Sequence, residues 1–164
     1  MRSAQYWKQK LQLTSHIEGG SYKEIYRSSL VLPKGSLTRQ HNGNRNAMTN
    51  IYFMLEYGEF SAFHRIASDE LWHHYDGDDL SIYEIDSNGA LTRHLLGVST
   101  YASPFVTISA GSWFGSRAEN PNSYTLCGCT VAPGFDFADF ELANRDALTA
   151  LYPTHHKIID ELTR

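Results

Sequence analysis

The sequence predicts a mainly β fold, a sandwich or barrel in a single domain, with a short helix at each end. Three observations predict it. Short runs rich in aromatic and β-branched residues recur from Met48 to Ala132. Turn signals separate those runs at Tyr57-Gly58, Ala67-Ser68-Asp69, Asp76-Gly77-Asp78 and Ser87-Asn88-Gly89. The Asn88-Gly89 pair is a strong hairpin signal, because a tight turn between strands needs residues that tolerate positive φ. Many short strands with regular turns make sandwiches and barrels.

The elements follow in order. Residues 3–13 predict a helix: Ser3 can cap it, and Tyr6, Trp7, Lys10 and Leu11 hold the i, i+3, i+4 spacing. Gly19-Gly20 breaks the chain, and Tyr22 to Leu32 then reads as strand. Residues 33–47 are polar and rich in Gly, Asn and Arg, the composition expected of a flexible surface loop or lid. Strands are predicted at 49–57, 60–66, 69–76, 79–86, 90–96, 104–109, 112–118 and 123–132. The tail is helical at 144–152 and 154–163, with Asn144 and Thr154 as caps and Pro153 between the two pieces. No repeat or linker interrupts this order, so one domain spans 1–164, with its β core over roughly 20–142.

The bulk numbers fit that architecture. A chain of 164 residues, 41% apolar and 20% charged, can bury one sizeable core. Aromatic residues reach 13%, which suits strands and the walls of a ligand cavity. A net charge of −4 without basic clusters argues against nucleic acid as a partner. No run of 18 apolar residues is present, so no membrane span is expected. The N-terminus lacks the apolar stretch of a signal peptide, and the cytosol is the expected compartment. Cys127 and Cys129 lie two apart on a predicted strand and are read as packing residues on one face.

The segment GEFSAFHRIASDELWHHYDG, Gly58 to Gly77, carries the clearest chemical signal. Five residues separate Gly58 from His64, three separate Ile66 from Glu70, and six separate Glu70 from Gly77. These spacings resemble the first metal-binding motif of the cupins, Gly, His-x-His, Glu, Gly, with Ile66 in place of the second His. The cupins' second motif is similar to PFVTISAGSWFGSR: Gly111 keeps the turn, Ser109 replaces a Pro, and Phe114 stands where the ligand His belongs. The whole chain resembles one cupin family known as a domain of unknown function. EGGSY at 18–22, FHR with SDELWHHYDGDDL at 63–80, AGSWF at 110–114, GCTVAPGFDFADFEL at 128–142 and YP at 152–153 carry that resemblance. It implies a cupin double-stranded β-helix, a jelly-roll barrel that is often dimeric, with kinship to sugar-nucleotide 3,5-epimerases and other small-ligand cupins.

His64 and Glu70 are the candidate catalytic residues. In a predicted hairpin of 60–66 with 69–76, strand alternation places His64 and Ile66 on one face, and Glu70, Trp72 and His74 on one face of the partner strand, with His73 outward. Three readings follow. His64, Glu70 and His74 could hold one divalent transition metal with water in the open positions. Without metal, a buried His and Glu could shuttle protons. Or the two side chains simply satisfy one another inside the barrel. Tyr22, Tyr52, Trp72, His74, Tyr83, Trp113 and Phe135 are candidate ligand-binding residues, with Phe53 a further aromatic wall. Glu18-Gly19-Gly20-Ser21-Tyr22 could close the barrel mouth, and Arg27 and Arg65 could meet a phosphate or carboxylate. His155-His156 reads as a solvated helix face.

The functional expectation is a small-molecule-binding cupin. An isomerase or epimerase acting on a sugar-like or carbonyl metabolite would use His64 as base and Tyr22 or Tyr83 to return the proton. The alternatives are a metabolite-binding module without turnover, and a metal-dependent dioxygenase or lyase using His64, Glu70 and His74. A small-molecule ligand and a second copy of the chain, in a homodimer, are the expected partners.

Overall fold

Alternation along each strand decides which side chains fill the centre of the molecule. The computed structural model describes residues 2–164. Helix α1 (Ala4–Leu11) begins at Ser3, whose hydroxyl accepts from the Tyr6 N–H, as the sequence suggests, and ends at Gln12 in the left-handed region. The strands are β1 (Thr14–Ser15), β2 (Ser21–Arg27), β3 (Val31–Leu32), β4 (Arg45–Asn46), β5 (Thr49–Glu56), β6 (Phe60–Arg65) and β7 (Asp69–Gly77). They continue as β8 (Leu80–Ile85), β9 (Leu91–Leu96), β10 (Phe105–Ile108), β11 (Trp113–Ala118), β12 (Tyr124–Ala132) and β13 (Glu141–Leu142). Helices α2 (Arg145–Leu151) and α3 (His156–Glu161) close the described chain. None of the helices is long and apolar enough to cross a membrane.

Two sheets face each other. One has the order β1-β2-β5-β12-β7-β10 and the other β13-β6-β11-β8-β9, while β3 and β4 form a small separate ribbon. Between the sheets, Phe53 and Leu55 of β5, Trp72 of β7, Ile82 of β8 and Phe114 of β11 form the central core. The intervening residues point outward. Met54 of β5 and Tyr124 and Leu126 of β12 pack under Trp7 and Leu11 of α1. Phe63, Ile85 and Trp113 lie on the outer face of the smaller sheet and are covered by Leu148 of α2 and by Ile158, Ile159 and Leu162 at the C-terminus. Burial of each such side chain contributes about 1.5–3 kcal/mol, which is why these short helices hold.

The sequence expectations hold for most strands, and β8 pairs with β9 across the Asn88-Gly89 turn as predicted. Four expectations need correction. The strand read from Tyr22 to Leu32 is two: β2 ends at Arg27, and β3 belongs to the separate ribbon. Strands β6 and β7 do not form a hairpin: they belong to opposite sheets, and residues 66–68 carry the chain across between them. Segment 33–47 is not a free loop. Arg45 and Asp139 make a buried two-point ion pair at 2.5 and 2.6 Å, and His41 Nε2 meets Ser68 Oγ at 3.0 Å with both side chains buried. Asn144 caps α2 through the Ala147 N–H, but Thr154 caps nothing, because it sits inside a 3-10 turn over Pro153–His155.

Candidate active site

The turn before β2 builds the floor of the site. Gly19 (φ +119°) and Gly20 (φ +70°) adopt conformations that a side chain would resist. A Cβ at Gly19 would also collide with the Phe60 carbonyl oxygen. Glycine there lets the turn lie against β6 and aims Glu18 inward, where it is buried. Ser61 donates to Glu18 Oε1 at 2.9 Å. His64 Nε2 lies 3.1 Å from Glu18 Oε2, and His16 Nδ1 lies 3.6 Å from the same oxygen.

A β-bulge makes this convergence possible. Along β11, Phe114 pairs with His64 and Ser116 with Ser61, so two steps on one strand match three on the other. Ser61 and His64 therefore face the same side despite odd spacing. The bulged residues spend their backbone groups elsewhere. The Ala62 N–H donates to Glu18 O, and Ala62 O faces His64 Nδ1, both at 2.8 Å. The Phe63 N–H donates to Leu162 O, and Phe63 O accepts from the Ala143 N–H. Arg164 reaches across to donate to the carbonyls of Ile17 and Glu18.

These contacts fix proton positions. A carbonyl only accepts, so His64 Nδ1 carries a proton. Its Nε2 faces a carboxylate oxygen, so one proton lies between His64 and Glu18. Both ring nitrogens of His64 are thus engaged. His16 Nδ1 accepts from the Glu18 N–H at 3.3 Å, which leaves its proton on Nε2. Burial is the main influence on His16 and lowers its pKa. The Glu18 charge opposes this, and His64 reinforces it.

Opposite this cluster, β7 and β12 of the larger sheet supply Glu70 and Cys129. Glu70 is buried, and desolvation raises its pKa to about 8, helped by the nearby Glu18 and opposed by a hydrogen bond from Cys129. Glu70 is therefore protonated at neutral pH. Burial also pushes the Cys129 thiol well up. Between the two carboxyls lies a cavity of about 290 Å³ walled by Tyr22, Ile51, Ile66 and Val131. Thr49, Phe135, Phe137, Glu24, Arg27 and Asp136 form its mouth.

Of the residues selected from sequence, His64, Glu70, Tyr22, Phe135, Glu18 and Arg27 line this cavity. The others do not. Tyr52 lies on the outer face beside Tyr75 and α1. Trp113 sits under the C-terminal helices with Arg65 stacked on its ring. Tyr83 shares that outer face and donates to Glu119 at 3.1 Å. Trp72 faces inward but is packed solid between Phe53 and Phe114. His74 pairs with Cys127, four residues along β7 from Glu70, or about 13 Å, with Trp72 between them. Arg65 pairs with Glu141 and Arg27 with Glu24, so neither is free for a phosphate. His155 Nε2 meets Gly89 O at 2.9 Å and is half-buried, leaving only His156 solvated. Sequence reasoning missed His16, Ser61 and Cys129 and treated Glu18 only as part of a mouth-closing turn. The signal was the His16-x-Glu18 pair set directly before two glycines, a place where backbone can come close.

The family model described as Cupin superfamily (DUF985) matches residues 5–143. The chain belongs to this family. A hypothetical protein from Leishmania major is 32% identical to this cupin, covers 99% of both chains and superimposes with a TM-score of 0.89. A protein from Shewanella oneidensis is 38% identical over 100% of this chain and 99% of its own, with a TM-score of 0.88. A Bacillus subtilis oxalate decarboxylase variant matches at 10% identity over 90% of this chain and 36% of its own, with a TM-score of 0.56, a likeness of fold alone. No curated protein matches the chain significantly.

The cupin resemblance implies a metal, and the donors present can be tested for one. Ile66 and Phe114 occupy two of the motif's ligand places, His64 has both nitrogens engaged, and His74 lies beyond Trp72. Among the described residues, no three His, Cys, Asp or Glu side chains converge to hold an ion. The set His64, Glu70 and His74 does not fit a metal.

Proposed function

We propose that the cavity is a proton-transfer site for a small carbonyl metabolite, an activity of the isomerase or epimerase type. The observation that carries this reading is the pair of carboxyl groups across the cavity. One is held neutral by burial, while the other accepts from the Ser61 hydroxyl and faces His64 Nε2. Two carboxyls in such divergent surroundings are what acid–base catalysis on one substrate requires. Glu18 is the base: its carboxylate takes the proton from the carbon beside the carbonyl. Glu70 is the electrophile: its O–H donates to the carbonyl oxygen as negative charge builds there. His64 orients Glu18 rather than acting as the base, because neither ring nitrogen is free. Tyr22 is the tyrosine within reach to return a proton, since Tyr83 lies on the outer face.

Solvent exchange tests this directly. The protein is incubated in deuterium oxide with aldoses, ketoses and small hydroxy-ketones, and carbon-bound deuterium is followed by NMR. Exchange at the position beside the carbonyl, lost in Glu18→Gln and strongly slowed in Glu70→Gln, is the expected result. Saturable binding without exchange for every compound would sink the proposal and leave a binding module.

A further inference from the structure

The charge arrangement around the cavity says what kind of molecule enters it. Four acidic side chains line it: Glu18, Glu70, Glu24 and Asp136. Glu70 is neutral and Glu18 is paired with His64, so the depth offers no unpaired charge and the negative charge gathers at the mouth. The lining holds no lysine and a single arginine. That arginine is committed. Arg27 Nε and one NH2 hydrogen go to Glu24 at 3.0 and 2.7 Å, and NH1 goes to Asn46 Oδ1 at 3.0 Å and Phe135 O at 3.1 Å. Four of its five N–H donors are used. Asp136 adds a further negative charge beside it, strong enough to help raise the Arg27 pKa. A phosphate or carboxylate entering here meets net negative potential and no free cation. The remaining polar groups suit a different ligand. Glu70 and His16 Nε2–H can donate, Glu18 can accept, and Tyr22 can do either, which matches hydroxyl and carbonyl groups. Ile51, Ile66, Val131 and Phe135 offer apolar surface for the C–H faces of such a molecule. The volume of about 290 Å³ lies at the small end of metabolite sites.

We infer that this cavity takes an uncharged, hydroxyl- and carbonyl-bearing metabolite of about monosaccharide size and rejects phosphorylated and carboxylate counterparts. This inference rests on the cavity being the ligand site, as in the proposed function, but not on turnover. The mouth carboxylates act as a filter. Glu24 does so twice, by its own charge and by occupying Arg27.

Matched titrations test it. D-glucose, D-fructose, D-xylose and dihydroxyacetone are each compared with the corresponding phosphate, and gluconate and xylonate represent carboxylates. Binding is followed through the imidazole NMR signals of His16 and His64. At least one neutral member should shift these signals saturably, with its anionic counterparts at least about tenfold weaker, a gap that shrinks as salt rises. The double substitution Glu24→Gln with Asp136→Asn, on exposed side chains, frees Arg27 and should narrow the gap by several-fold. Asn at 136 can still accept from the Ala138 N–H that Asp136 now caps. Equal or tighter binding of a phosphate or carboxylate would overturn the inference, as would binding by no neutral member, or a gap untouched by the double substitution. Neutral binding without deuterium exchange would sink only the proton-transfer proposal. Exchange confined to phosphorylated compounds would sink only this inference.

Discussion

Replacing Glu70 by Gln turns the buried neutral carboxyl into a permanent neutral group of the same shape, and the pH dependence of stability reports the difference. In the unfolded chain this carboxyl titrates near 4.5, and in the fold near 8. Between those values the native state holds a proton that the unfolded state has lost. A raised carboxyl pKa therefore lowers stability as pH rises, by about 1.4 kcal/mol per pH unit, fully in place only above the folded value. The window covers three to four pH units, so the wild type should lose up to about 4–5 kcal/mol relative to Glu70→Gln between pH 4.5 and 8. Below pH 4.5 the two proteins should differ by a constant. The assay is guanidinium unfolding followed by tryptophan fluorescence across a pH series, taken as the difference between the two proteins. Titrations common to both, such as that of His16, then cancel to first order. Parallel stability curves from pH 5 to 8 would refute the claim that Glu70 is neutral in the fold, and with it the division of labour between the two carboxyls.

Three further outcomes follow from packing and backbone geometry. Gly19→Ala, at φ +119° and against the Phe60 carbonyl, should cost at least about 2–3 kcal/mol by thermal unfolding and weaken ligand binding through displacement of Glu18. Asp139→Ala leaves Arg45 buried without its partner and should cost about 3–5 kcal/mol, with limited proteolysis appearing between residues 33 and 47. Trp113→Ala should cost about 3–5 kcal/mol yet leave ligand affinity unchanged in isothermal titration, because the ring lies on the outer face under α2 and α3.

Strand positions were legible because period-two patterning and turn residues are local. The interval from Met48 to Ala132 reads almost element by element. Which strand pairs with which was not local information. The short connection between β6 and β7 looks like a hairpin, and only the packing of two sheets reveals that residues 66–68 cross between them. Half of the candidate site was legible for the same reason: His64 and Glu70 sit at recognisable spacing from glycines. The other half depends on a bulge and on a glycine turn. Ser61 falls out of alternation because β6 carries an extra residue, and Glu18 reaches the cavity only because Gly19 admits a close approach. Aromatic content misled in a definite way. Trp113 and Tyr83 cover an outer face that the terminal helices then hide, which composition cannot distinguish from a ligand wall.

The bulge at Ala62-Phe63 joins segments from opposite ends of the chain: the turn carrying Glu18 hangs on one peptide group, and Leu162 on the next. Arg164 then clasps the carbonyls of Ile17 and Glu18 from above. The seat of Glu18 is therefore a joint property of two segments almost 150 residues apart in sequence. Loosening residues 162–164 would unfasten the Glu18 turn without touching a single residue of the cavity wall, so the shape of the cavity is held from outside it.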